Sequence, residues 1–220
     1  MTDTKTKLLN GTLQALTEHG IAGTSARTIA TAAGVNQALV FYHFGSVDEL
    51  LAAACRHGAE QRVAQYRARL AQVEDLSELL GLARELHAEE KEAGHLNVLG
   101  QLLAGAQTQP RLAPATAAGM SLWTEEVEHV LARLLADSPI AEFIDAPGLA
   151  KAIAAGFVGL ELYEGVDPEG SEHAFAALGQ LADLAGVLDE LGPVLQRAVR
   201  THLRRNRKRA ISKQTPLRSS

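Results

Sequence analysis

The chain has 220 residues, 46% of them apolar and only 4% aromatic, with one cysteine and a formal net charge of −5 at pH 7. A lone Cys55 excludes an intrachain disulfide, and no apolar run approaches the roughly 18 residues of a membrane span. The opening MTDTKTKLLNGTLQ lacks the apolar core of a secretory signal, so a cytoplasmic chain with no membrane partner is expected. Charge is uneven: residues 1–50 carry three bases and four acids, whereas residues 197–220 carry nine bases and no acid, which leaves the middle at −13. An acidic body with a basic end suits either a polyanionic partner or a merely solvated tail.

The pattern is helical throughout, and an all-α fold is expected. Leu8, Leu9, Leu13 and Leu16 recur at helical spacing, and Gly20 is a natural stop. Ser25 suits the N-cap of SARTIATAAG, with Ala26, Ile29, Ala30 and Ala33 on one face and Gly34 at its end. Asn36 is placed to cap NQALVFYHF, where Val40 and Phe44 share a face, and Gly45 ends it. Ser46 caps a long helix to about Val73, and Asp48 and Glu49 in its first turn suit the positive helix end. Cys55 reads there as a small buried apolar residue.

Further helices are expected over 75–94 and 95–109, broken at Gln109-Pro110, then over 113–136, 147–165 and 171–191. VDPEGS reads as a loop, with Ser171 capping the helix after it. Gly192-Pro193 interrupts that helix, which resumes to about Leu203 before RRNRKRAISKQTPLRSS loses periodicity and reads as disordered. The organisation is then three helices over 1–50, a helical body over 51–196, and a basic disordered tail over 197–220.

Helices two and three, joined by Ala33-Gly34-Val35, form a helix-turn-helix, the arrangement that lays its second helix in the DNA major groove. Val40 and Phe44 point inward. The other face shows Asn36, Gln37, Phe41, Tyr42 and His43, side chains able to bond base edges or phosphates or to touch thymine methyls. The run TSARTIATAAGVNQALVFYHFGSVDELL closely resembles the DNA-binding domain of TetR-family transcriptional regulators, over about residues 5–52.

That resemblance implies roles by position. Arg27 and Thr28 would meet phosphates or groove edges, Gln37, Ala38 and Leu39 would face bases, and Tyr42 and His43 would hold the backbone. Phe41 stands where the family often has a phosphate-binding Tyr, and Gly45-Ser46 where a Lys is common. The resemblance further implies a homodimer on a pseudo-palindromic double-stranded operator, since one two-turn helix reads too few bases for a genome. The dimer would form through the last two long helices, with Gly156, Phe157, Leu160, Phe175, Leu178 and Leu181. A small, mostly apolar effector would bind among Leu96, Leu99, Leu103, Met120, Trp123 and Phe143, with polar anchors from His95, Asn97, Gln101, Gln107 and His129.

No catalytic or metal-binding motif stands out: His87-Ala88-Glu89-Glu90 lacks a second His at helical metal spacing, and no phosphate loop or nucleophile elbow occurs. The expectation is a ligand-released repressor that is not an enzyme and takes no cofactor or metal. The alternatives are an activator on the same fold or a ligand- or protein-binding helical protein that has lost operator binding.

Overall fold

The structure is a computed structural model that describes residues 3–136, 138 and 140–214. Helices account for almost all of it, and no strand occurs among the described residues. The first three helices are α1 (Thr4–Gly23), α2 (Ala26–Ala33) and α3 (Ala38–Phe44). The body comprises α4 (Val47–Gln72), α5 (Leu76–Glu92), α6 (His95–Thr108), α7 (Ala113–Leu135), α8 (Ala146–Glu164) and α9 (Pro168–Glu190), followed by α10 (Pro193–Gln214).

The small domain is set by its caps. Ser25 Oγ accepts the Thr28 N–H at 3.2 Å while Thr28 Oγ1 accepts the Ser25 N–H at 2.8 Å, a reciprocal capping box at the start of α2. Gly34 ends α2 at φ 64°, and the Val35 N–H reaches back to the Ala30 carbonyl at 3.0 Å, which turns the chain sharply into α3. Asn36 Oδ1 accepts the Ala38 N–H at 2.8 Å, and Ser46 Oγ accepts the Glu49 N–H at 3.1 Å at the start of α4. Gly20 interrupts α1 at φ 63°, one turn before its end.

Three apolar clusters follow one another along α4. Leu8, Ala15, Ala26, Ile29, Val40 and Leu50 form the core of the small domain. Leu16, Leu51, Leu102, Leu112 and Ala115 form a junction beneath it. Tyr66, Leu70, Leu79, Leu82, Leu131 and Ala150 belong to the core of the body. A division at residue 50 therefore falls inside a continuous helix that serves both units. At its far end, Arg133 Nη1 and Nη2 donate to the carbonyls of Val73 at 2.6 Å and Leu70 at 3.0 Å, so a cation from α7 closes the negative end of α4.

Two expectations are corrected. Helix α9 begins at Pro168, not Ser171: Asp167 Oδ1 accepts the Gly170 N–H at 2.9 Å, so Asp-Pro supplies the cap and first helical residue. Ser171 is buried, and its hydroxyl faces the Leu160 carbonyl. The basic segment is not irregular from residue 197: α10 continues to Gln214, and Arg204 holds Glu142 at 2.9 Å. The rest of the segment expected to be disordered, 215–220, lies outside the described residues.

Gly11 marks the closest helix approach in the small domain, because a Cβ there would lie 2.7 Å from the Ala33 backbone nitrogen. Gly11→Val should destabilise the fold by about 1–3 kcal/mol through overpacking. Gly81→Ala, in α5 with open space around the new methyl, should stabilise it by about 0.5–1 kcal/mol. Thermal unfolding of both variants checks the pair, and equal losses would show that Gly11 is not held by contact with Ala33.

Candidate nucleic-acid interface and ligand cavity

Helix α3 buries Val40 completely and leaves its opposite side to solvent. Tyr42 is 81% exposed and Phe41 50% exposed, both large apolar surfaces with no cover. Gln37 and Ala38 are exposed, and His43 is half-buried with its ring edge-on to Tyr42 at 4.9 Å. Arg27 is exposed on α2, while Asn36 is exposed but spends its carbonyl oxygen on the α3 turn. Two residues are less free than the sequence suggests. Thr28 commits its hydroxyl to the capping box, and Leu39 is half-buried against the small-domain core. Asp48, at the start of α4, has Arg111 beside it at 3.4 Å.

Below this domain lies a cavity of about 580 Å³, enclosed by α1 and α4 to α8. Its walls are mostly apolar and include Leu96, Leu99, Met120 and Trp123. Leu103 and Phe143 do not line it; its neighbour Leu102 does, one step round the same helix. Of the expected polar anchors only His95 reaches it. Gln101 instead supports the small domain, its Oε1 accepting the Ile21 N–H at 3.4 Å. Asn10, Leu13, Gln14 and Thr17 of α1 also form the wall, so the cavity touches the DNA-binding unit directly. Cys55 lines it too, its thiol pushed up to about 11 by burial.

One charged group in the wall escapes sequence reasoning. Glu90 is buried, accepting from Arg62 Nε at 2.8 Å and from the Tyr66 hydroxyl at 2.9 Å, with His95 Nδ1 at 3.0 Å. Burial alone would raise its carboxyl, but the His95 bond, the Arg62 charge and the Tyr66 bond outweigh burial and hold it below its ordinary value. Burial and the Glu90 contact push the Tyr66 hydroxyl up. Arg62 and Glu90 lie 28 residues apart on different helices, so no local motif announces them.

The residues expected at a subunit interface divide. Leu178 and Leu181 on α9 are exposed, as is Gly156 on α8, where a Cβ would meet open space. Leu160 is half-buried. Phe157 is half-buried and lines the cavity, and Phe175 is buried with its ring 5.4 Å beneath the Arg84 guanidinium.

A capped helix-turn-helix with an open recognition face, set on a helical body with an apolar cavity, is the architecture of a DNA-binding regulator. Residues 8–54 match the model of bacterial regulatory proteins of the tetR family. The fold is shared with a Rhodococcus sp. protein described as a TetR-family transcriptional regulator, at 22% identity over 84% of this chain and 99% of that one, TM-score 0.68. It is also shared with the transcriptional regulator SCO7518 from Streptomyces coelicolor A3(2), at 25% identity over 82% and 99%, TM-score 0.63. The multidrug binding protein EbrR complexed with ethidium is 27% identical over 82% and 99%, TM-score 0.61. No curated protein matches the sequence. The chain therefore carries a tetR-family DNA-binding domain over residues 8–54, on a fold shared with TetR-family transcriptional regulators, and is a DNA-binding transcriptional regulator. Among its described residues no single helix is long and apolar enough to cross a membrane.

Glu90→Gln should destabilise the protein by about 3 kcal/mol at pH 7, because it removes the buried charge that pairs with the partly buried Arg62. A carboxyl held below its ordinary 4.5 stabilises fully above that value and loses its contribution as pH falls through the folded value. The gap between wild type and Glu90→Gln should therefore be largest near neutrality and close as pH falls below 4.5. Denaturant midpoints across pH measure it, and a gap independent of pH would deny the ionised carboxylate its role.

Proposed function

We propose that the chain is a dimeric repressor whose hold on a pseudo-palindromic operator is released by a small, mostly apolar ligand. The observation that carries this reading is the cavity wall: residues of α1, the first helix of the DNA-binding unit, share one cavity with α4 to α8. A ligand that prefers a wider cavity would displace α1 relative to α6 and so re-aim α3. Its differential affinity for the two arrangements sets the change in DNA affinity. EbrR, similar over most of its length, has been captured with ethidium and with proflavin, which supports a small-molecule role for this cavity.

The dimer face proposed is the outer side of α8 and α9, where Leu162, Leu178, Leu181, Leu184 and Val187 stand exposed. Gly156, Gly159 and Gly186 leave room there for a close helix approach. Two copies would present two α3 helices about 34–36 Å apart, one turn of DNA. On this reading Arg27, Gln37, Ala38, Phe41, Tyr42 and His43 meet the duplex, while Asn36, Thr28 and Leu39 chiefly hold the motif in shape.

Selection of bound fragments from a random duplex library, followed by fluorescence anisotropy, tests this. The enriched site should be a two-fold repeat. Tyr42→Ala should weaken binding about five- to thirtyfold, and Gln37→Ala should relax preference at one base position in each half, at about 1–3 kcal/mol. Leu181→Asp with Leu184→Asp should yield monomers in sedimentation and abolish operator binding. Adding 1-anilinonaphthalene-8-sulfonate, an apolar probe with one charged group, should lower DNA affinity as it fills the cavity. A probe that binds without changing DNA affinity would refute ligand release while leaving DNA recognition intact.

The basic C-terminal helix is assigned no share of the operator contacts. Arg204 pairs with Glu142, in the turn between α7 and α8, whereas α7 starts beside the small domain and its 23 residues span about 35 Å. A chain ending at Gly192 should keep the full salt slope of operator binding. A shallower slope would return phosphate contacts to the tail.

A further inference from the structure

A second polar cluster lies between α5 and α8, behind the cavity wall. His87 Nε2 sits 3.2 Å from Glu161 Oε2 and 3.1 Å from Glu164 Oε2, and the three donor atoms all lie within 4.8 Å of one another. The side chain of His87 is 9% exposed and that of Glu161 13%. Two phenyl rings wall the imidazole, Phe157 at 5.1 Å and Phe175 at 5.5 Å between centroids.

Taken as a hydrogen-bonded group, this cluster is short of protons. One imidazole nitrogen carries at most one hydrogen, yet two carboxylate oxygens approach it. Glu161 Oε2 is left buried with no hydrogen-bond partner. A buried acceptor left in that state costs about 1–3 kcal/mol. Lys91 Nζ donates to the other oxygen of Glu164 at 2.6 Å, which fixes that carboxylate but leaves Glu161 unserved.

We propose that His87, Glu161 and Glu164 are the protein ligands of a divalent first-row transition-metal ion of the Zn2+ type, which pins α5 to α8. Ligands at about 2.0–2.2 Å in a tetrahedron stand about 3.4 Å apart, close to the two separations measured from the imidazole nitrogen. Three protein donors leave a fourth position for water or a ligand atom. An imidazole among carboxylates selects this class over Mg2+ or Ca2+, which take oxygen donors. Lys91 acts as the outer partner that orients the Glu164 carboxylate. The Nδ1 of His87 has no acceptor, so the site lacks one usual support and binds less tightly than a fully braced one.

The ion would fix Phe157, which packs on His87 and also lines the cavity, so metal and cavity ligand would influence each other by linkage. Metal uptake itself is independent of the repressor reading and is measured without DNA.

The test is Zn2+ titration of the intact, metal-stripped protein against a chromophoric chelator, with the Co2+ absorption spectrum as a report on geometry. One ion per chain is expected, with visible bands of tetrahedral intensity. His87→Ala and Glu161→Gln should each weaken uptake at least tenfold, whereas Glu60→Gln, an exposed carboxylate beside Arg56, should not. Zn2+ should raise the Tm of wild type and leave that of Glu161→Gln unchanged, which separates a lost ligand from a misfolded variant. Absence of stoichiometric uptake by wild type, or uptake that survives both ligand substitutions, overturns the assignment.

Discussion

Everything in this chain is arranged on α4. Its 26 residues make a rod of about 39 Å that joins three apolar clusters, two at its first turns and one at its far end. Leu50 belongs to the small domain, Leu51 to the junction, and Tyr66 and Leu70 to the body. A helix held on several sides cannot bend locally without emptying one of those clusters. Motion between the two units must therefore take the form of tilting or sliding of whole helices, the behaviour of closely packed elements with few discrete arrangements.

The electrostatics of the small domain fit that mechanical picture. With three bases against four acids, residues 1–50 offer weak general attraction to a phosphate backbone. Asp48 and Glu49 are spent on the start of α4, and Asp48 also has Arg111 beside it. On the proposed reading, affinity for DNA comes from placement: Tyr42 and Phe41 on a short helix, repeated by the two-fold of the dimer. Such binding is sensitive to small changes in the separation of the two reading heads, which is the property a conformational switch requires.

Local rules made the small domain legible. Ser25, Gly34, Asn36 and Ser46 each act on backbone groups within a few residues, so their positions in the sequence carry the turn geometry by themselves. The same rule was available at Asp167-Pro168, where a cap followed by a proline opens α9, but the neighbouring Gly170-Ser171 reads as readily as a start. The tail failed differently. Its arginines and lysines are acceptable helix formers but give no apolar period, so the segment carries no periodic signal of a helix. In the cavity, Leu96, Leu99, Met120 and Trp123 were accessible because apolar residues of the middle helices must face something. The wall residues of α1, the Arg62–Glu90 pair and the His87–Glu161–Glu164 cluster were not, because each joins helices far apart in sequence, and nothing in one helix encodes its neighbour.

Cys55 gives a last consequence. Its thiol is pushed up to about 11, so at neutral pH almost none of it is thiolate, the form that attacks oxidants and electrophiles. The one thiol in the cavity wall is therefore a quiet one. Peroxide and electrophiles find a poor nucleophile at that position. On the proposed reading, whatever occupies the cavity is held by shape and reversible contact and not by a bond to this sulfur.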